Sequence, residues 1–395
     1  MPAQEYQAPE SVGRLQNRSL VVSVIAILAG AYLALRTPDR FYEAYLMSYM
    51  LILGFMLGSL GLLMLQHLTS GLWAIVIRRP LEAATRTFPL VAVLFVPIIF
   101  GMRHLYSAWL DPEKLKAEPL SHMQQSYLTH NAFLVRAGIY FAVWLVLVLL
   151  FNSWSRLQDV NQNDRSLRRR FKLVAGPGIV LYVFSIGFAS TDWVMSISPH
   201  WASTIYGFLY VAGQLISAMS LMIVIVVMLS RSEPFTSILK PRYLHDLGKF
   251  LFTFIMLWAY FDFSQLLIIW SGNQPEEISF FRTRLYSEWG YVAIIVVLFH
   301  FFVPFFVLLS SDVKKNKSAI TKVAMWMIFM RLVDLYWMTR PEFSADKAWP
   351  HPLDFIVPVA MISLWLSYFA WNLKQQPLLP LGEPKLPEVL GKHEH

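Results

Sequence analysis

FMRLVDLYW, residues 329–337, sets Arg331 and Asp334 three positions apart in a run that is otherwise as apolar as lipid. Residues three apart on a helix share a face, so the two charges can neutralise each other in an apolar surround. The neighbouring sequence supports reading 319–338 as a membrane-crossing helix. The 395-residue chain is 56% hydrophobic and only 15% charged, with 29 Phe, 17 Met and 14 Trp, which is too apolar for a soluble domain. Windows of about 20 apolar residues, the length that crosses a hydrocarbon core of roughly 30 Å, recur at 19–35, 44–66, 88–110, 131–154, 173–195, 202–229, 247–271, 288–310, 319–338 and 353–373. They are called spans 1 to 10. The pattern predicts an all-α polytopic membrane protein with a short segment 1–18 before the spans and a tail 374–395 after them. No small-residue cleavage site follows the first window, so it reads as a retained helix.

Lys and Arg give the sidedness. The N-terminus, the loops after spans 2, 4, 6 and 8, and the C-terminus, with the span ends next to them, hold 22 of the 33, against about 9 in the other loops and their adjoining span ends. Both termini are therefore expected in the cytoplasm. The net charge of +8 is scattered through short loops, which fits topology rather than nucleic-acid binding. Pro97, Pro177, Pro304 and Pro358 fall inside spans and predict kinks. Trp109, Trp193, Trp201, Trp270, Trp289 and Trp337 fall near the outer ends, where indoles favour the lipid interface. The loop RRPLEAATRTFP, 78–89, reads as an amphipathic piece lying on the cytoplasmic lipid surface. The proline-broken tail from Gln375 reads as extended against a partner or disordered.

Absence of cysteine excludes disulfides, thiolate iron–sulfur ligation and CxxCH haem attachment. His67, His104, His200, His245 and His300 are scattered singly, which argues against a b-type haem. His393 and His395 sit in the tail and read as solvent-exposed.

Ionisable groups inside lipid are costly and should face a partner or water within the bundle. One set comprises Arg103, His104, Arg136 and Asp192 on spans 3 to 5. It reads either as structural anchoring or as a quinone headgroup site. A second set comprises Asp262 and Gln265, His300, and Arg331 with Asp334 on spans 7 to 9. It reads either as a neutralised pair that locks packing or as part of a proton path, since carboxylates and imidazoles exchange protons. GQLISAMS, 213–220, carries small residues that permit close helix approach and reads as packing. A four-helix offset aligns Phe100, Leu105 and Trp109 with Phe261, Leu266 and Trp270, suggesting duplicated four-helix bundles, spans 2–5 and 6–9.

The blocks FASTDWVMSISPHWASTIYGFLYVAGQ (188–214), HNAFLVRAGIYFAVW (130–144) and LGKFLFTFIMLWAYFDFSQLLIIWSGNQPEEISFFRTR (247–284) resemble the NrfD-like, or polysulfide-reductase-type, integral membrane subunits. Within that family the likeness is greatest to the ActF-type subunit of bacterial alternative complex III, a quinol:electron acceptor oxidoreductase. The resemblance implies two four-helix bundles flanked by single helices, in the bacterial inner membrane. It implies a subunit without a redox centre of its own. Quinone, such as menaquinone, would bind elsewhere in the complex, and haem c and iron–sulfur clusters would belong to partner subunits. Those partners would include a larger NrfD-like paralogue, an iron–sulfur subunit and cytochrome c subunits. By analogy Asp262, Arg331 and Asp334 would lie in a proton-conducting half. A self-contained secondary transporter and a purely structural scaffold are the alternatives.

Overall fold

A computed structural model describes residues 6–161 and 165–390; His393 and His395 lie outside the described residues. The chain is all-α, with no strand among the described residues. Nine of the described helices are long and apolar enough to cross a membrane. They begin with Glu10–Ala34 and Pro38–Thr69 and continue through Arg78–Phe100, His130–Val160 and Ser166–Ile197. Tyr206–Leu229, Pro241–Gly272, Trp289–Leu309 and Leu353–Leu373 complete them. Span 9, Lys317–Thr339, has the length, at 23 residues, but carries Lys322, Arg331 and Asp334, which reduce its apolarity. It packs inside the bundle like the others. Counting it, ten described helices match the ten apolar windows, and the first and last described segments meet: Leu378 N donates to Tyr6 O at 2.8 Å.

Spans 2 to 5 pack as one group and spans 6 to 9 as another, joined where span 2 meets spans 6 and 9 and span 5 meets span 6. Spans 1 and 10 pair with each other outside the groups, and span 10 also rests on span 2. Span 2 is thus enclosed along its whole apolar window.

Small residues set how closely the two groups approach. Gly54 and Gly58 form a GxxxG step on span 2, facing Gln214 and Ala218 of span 6. A Cβ on Gly54 would meet Gln214 at an ordinary 3.5 Å, whereas on Gly58 it would fall 2.2 Å from the Gln214 carbonyl oxygen. Gly58→Ala is therefore expected to cost about 1–3 kcal/mol through forced backbone separation, and Gly54→Ala to be tolerated. Thermal unfolding in detergent compares the two variants. Equal melting temperatures would contradict the close approach.

Two prolines coincide with irregular helix and two do not. Pro97 lies where the third span breaks into short turns, Phe88–Val93, Val96–Phe100, Met102–Leu105 and Ser107–Leu110. Pro304 has no N–H for the His300 carbonyl four residues back, and the helix widens to π geometry over Val297–Phe302. Around Pro177 and Pro358 the helices run without interruption.

The structure corrects three sequence expectations. Of the six tryptophans assigned to the lipid interface, Trp193 and Trp289 are fully buried, Trp109, Trp201 and Trp337 are buried, and only Trp270 is exposed. Two of the buried five find carbonyls inside the fold: Trp109 Nε1 donates to Ser196 O, and Trp289 Nε1 to Ser344 O. Trp109 buried against Trp270 exposed also shows that the aligned trios 100/105/109 and 261/266/270 occupy different surroundings.

The 78–89 loop does not lie on lipid. Every residue of its helix, Arg78–Thr85, is buried. Glu82 accepts from Arg78 at 3.1 Å, Arg79 at 2.6 Å and Ser155 at 2.6 Å, so one carboxylate neutralises two guanidinium groups. Arg79 also pairs with Asp159.

Nor is the tail free over its described part. Arg78 donates to Glu383 at 2.8 Å, Arg86 to Gln376 at 2.6 Å, and Gln158 to the Gly382 carbonyl at 3.0 Å. The tail thus closes over the buried cluster. Glu82→Gln is expected to destabilise this end by about 1–3 kcal/mol by leaving buried donors short of an acceptor. Limited proteolysis should then cut the tail faster; an unchanged cleavage rate would mean that the cluster does not hold it.

Candidate functional site

Span 9 carries Arg331 and Asp334 on the face it turns toward span 6. Both side chains are buried, at 2% and 1% exposure, and they form a direct ion pair. The room for the guanidinium comes from Gly213, where any Cβ would fall 2.2 Å from Arg331 Cζ. One turn back on span 6, the Tyr210 ring lies 5.5 Å from Arg331 Cζ. The small-residue stretch 213–220 is therefore a packing feature that also shapes the charge site.

Around this pair lie groups from spans 7 and 8. Asp262 is half-buried and an electrostatic neighbour of Asp334. No hydrogen bond or ion pair joins it to another described residue. His300, fully buried in the π-helical turn, is an electrostatic neighbour of Arg331 and packs on Trp258 with ring centroids 4.2 Å apart. Neither His300 nitrogen has a hydrogen-bond partner among the described residues. Buried polar atoms are normally satisfied, so this imidazole marks a place suited to water or a transferable proton. Gln265 points elsewhere, accepting from Ser203 at 3.0 Å in the loop before span 6.

At 1.5 Å per residue, Asp334 lies roughly 8 Å along the helix from the end of span 9, and His300 roughly 16 Å from the start of span 8. The cluster thus runs from near one face toward the middle of the bundle. Gln214, next to Gly213 in sequence, faces span 2 and span 5 instead: Tyr182 donates to its Oε1 at 2.9 Å, while its Nε2 and the Ser220 hydroxyl are buried without partners among the described residues.

The other predicted set divides. Arg136 donates twice to Asp192, both bonds 2.9 Å, and Tyr140 donates to the same carboxylate at 2.7 Å. Asp192 is fully buried and Arg136 stacks over Tyr127 at 3.8 Å. With its acceptors filled, this carboxylate is a clasp between spans 4 and 5. His104 joins neither: it contacts Asp39 and stacks on Tyr42 at 4.8 Å. Arg103 is exposed and lines a cavity of about 910 Å³ with His130 and Asp111. The four residues do not converge as one headgroup site.

No protein-family model and no curated protein matches the chain.

The sequence reading missed the cluster at Arg78, Arg79 and Glu82, and a second between spans 2, 9 and 10, where Arg340 pairs with Glu43 and Asp354. Burial pulls the Arg340 guanidinium down to about 10, against the pull of Asp354 toward the charged form. The available signal was the opposite-charge spacing of Glu82 from Arg78 and Arg79.

Proposed function

We propose that this chain is a cofactor-free integral membrane subunit of a bacterial respiratory quinol:electron acceptor oxidoreductase of the alternative complex III type, and that its second bundle contributes a proton-conducting element. The observation that carries the reading is the meeting of Asp262, His300, Arg331 and Asp334 from three helices inside one bundle. Arg331 holds Asp334 as its counter-ion. Asp262, without a cation of its own, and His300, without a hydrogen-bond partner, are the groups free to exchange protons. Quinone chemistry, haem c and iron–sulfur clusters are assigned to partner subunits, in keeping with a chain that has no cysteine. The concentration of Lys and Arg at the end holding both terminal segments supports a cytoplasmic position for that end.

A secondary transporter would place broken helices at corresponding positions of two repeats. Here the irregular spans are 3 and 8, which a four-helix offset does not superpose. A purely structural scaffold leaves the paired residues explained but not the unpaired His300 and Asp262.

Purification of the native assembly from membranes tests the assignment. Haem-containing and iron–sulfur proteins are expected to co-migrate with this chain, and quinol oxidation with them. A chain that migrates alone, or that catalyses transport by itself in liposomes, would contradict it.

A further inference from the structure

At the end of the molecule where the chain termini meet, a cavity of about 820 Å³ opens between the end of span 2, the start of span 5 and the tail. Its rim carries Arg168, Arg169, Lys172 and Lys385. The first three are exposed and form no ion pair with any described residue. Lys385 donates to the Ser70 carbonyl at 2.7 Å, which ties the tail across the opening. The one carboxylate on the wall, Glu383, is committed to Arg78.

The floor is built differently. His67 is buried, stacked flat on Phe171 with centroids 3.9 Å apart, and its Nε2 has no hydrogen-bond partner among the described residues. Beside it Phe171, Leu173 and Pro384 give an apolar wall. A buried unsatisfied imidazole beneath three uncommitted cations calls for an anion with several oxygen acceptors, and the apolar wall calls for a hydrocarbon portion next to it. The cavity lies where helix 165–193 enters its apolar stretch, the depth of lipid headgroups.

We propose that this cavity binds the phosphate headgroup of an anionic phospholipid, with Arg168, Arg169 and Lys172 contacting the phosphate, His67 Nε2 reaching it from below, and the acyl chains leaving along Leu173. Basic pockets between membrane helices recognise acidic lipids in this manner. Because the tail forms one wall, lipid occupancy would also hold the tail closed over Arg78 and Glu82.

The full chain reconstituted in nanodiscs of phosphatidylcholine doped with cardiolipin, then released and weighed by native mass spectrometry, reads the retained lipid directly. The wild-type chain is expected to keep cardiolipin in preference to phosphatidylcholine. The triple variant Arg168→Gln, Arg169→Gln, Lys172→Gln is expected to bind it on the order of a hundred-fold more weakly. A control with the same charge change away from the cavity, Lys315→Gln, Lys317→Gln, Lys322→Gln, is expected to retain it. His67→Phe, which preserves the stacked ring, gives a second reading independent of net charge and is expected to weaken retention. Equal retention by the pocket and control variants would overturn the proposal. So would saturable binding of inorganic phosphate by the detergent-solubilised chain that displaces cardiolipin, which would make the ligand a soluble phosphate.

Discussion

Replacing Arg331 by Leu is expected to cost about 3–5 kcal/mol and to deplete the protein from the membrane, because it leaves Asp334 buried without its counter-charge. The position offers Asp334 little alternative. Gly213 shapes the slot for the guanidinium, Tyr210 flanks it, and Asp262 brings a second carboxylate rather than a cation. Removing both charges should be far milder. In the double variant Arg331→Leu, Asp334→Leu neither partner is left without its counter-charge, and replacing a buried ion pair with apolar residues is often neutral or stabilising. Accumulation measured by immunoblot, together with thermal unfolding of what accumulates, should therefore rank wild type close to the double variant and both well above the single variant. If Arg331→Leu accumulates like wild type, the fold does not depend on Asp334 keeping its counter-charge.

This pairing was legible in FMRLVDLYW because a spacing of three puts the two charges on one face of a helix. What the spacing could not supply was the other side of the contact. Gly213 reads as a small packing residue until span 6 is placed against span 9, and only then does its missing Cβ become room for a guanidinium. His300 shows the same limit. Its burial and proximity to Arg331 depend on the widened turn that Pro304 imposes, and a π-turn shifts every later side chain around the helix axis. The sequence contained Pro304 but not the direction in which the turn would relax.

The misread regions share one cause. Tryptophans near helix ends and an arginine-rich amphipathic loop are both what an interface between lipid and water attracts, and composition alone cannot distinguish that surface from a protein one. Trp193 and Trp289 turned inward because neighbouring spans cover them. Arg78 and Arg79 turned inward because Glu82, Asp159 and the returning tail meet their charge. Glu82 is local, but Asp159 lies 80 positions from Arg79 and Glu383 lies 305 from Arg78, beyond any local pattern. The ten crossings, by contrast, were readable throughout, since helix length against bilayer thickness is a local property.

The second large effect concerns function rather than stability. Asp262 carries no ion pair among the described residues, so exchanging its carboxylate for an amide strands no counter-ion and changes the shape little. What it removes is the capacity to take up and release a proton beside Asp334. Asp262→Asn is accordingly expected to assemble with its partners and to support quinol oxidation near the wild-type rate, while Asp262→Glu retains whatever the carboxylate provides. The direct test is the number of protons moved per electron by the purified complex in sealed proteoliposomes. That ratio is predicted to fall toward the value set by quinol chemistry alone in Asp262→Asn and to hold in Asp262→Glu; an unchanged ratio in Asp262→Asn, with electron transfer intact, would contradict a proton-conducting second bundle.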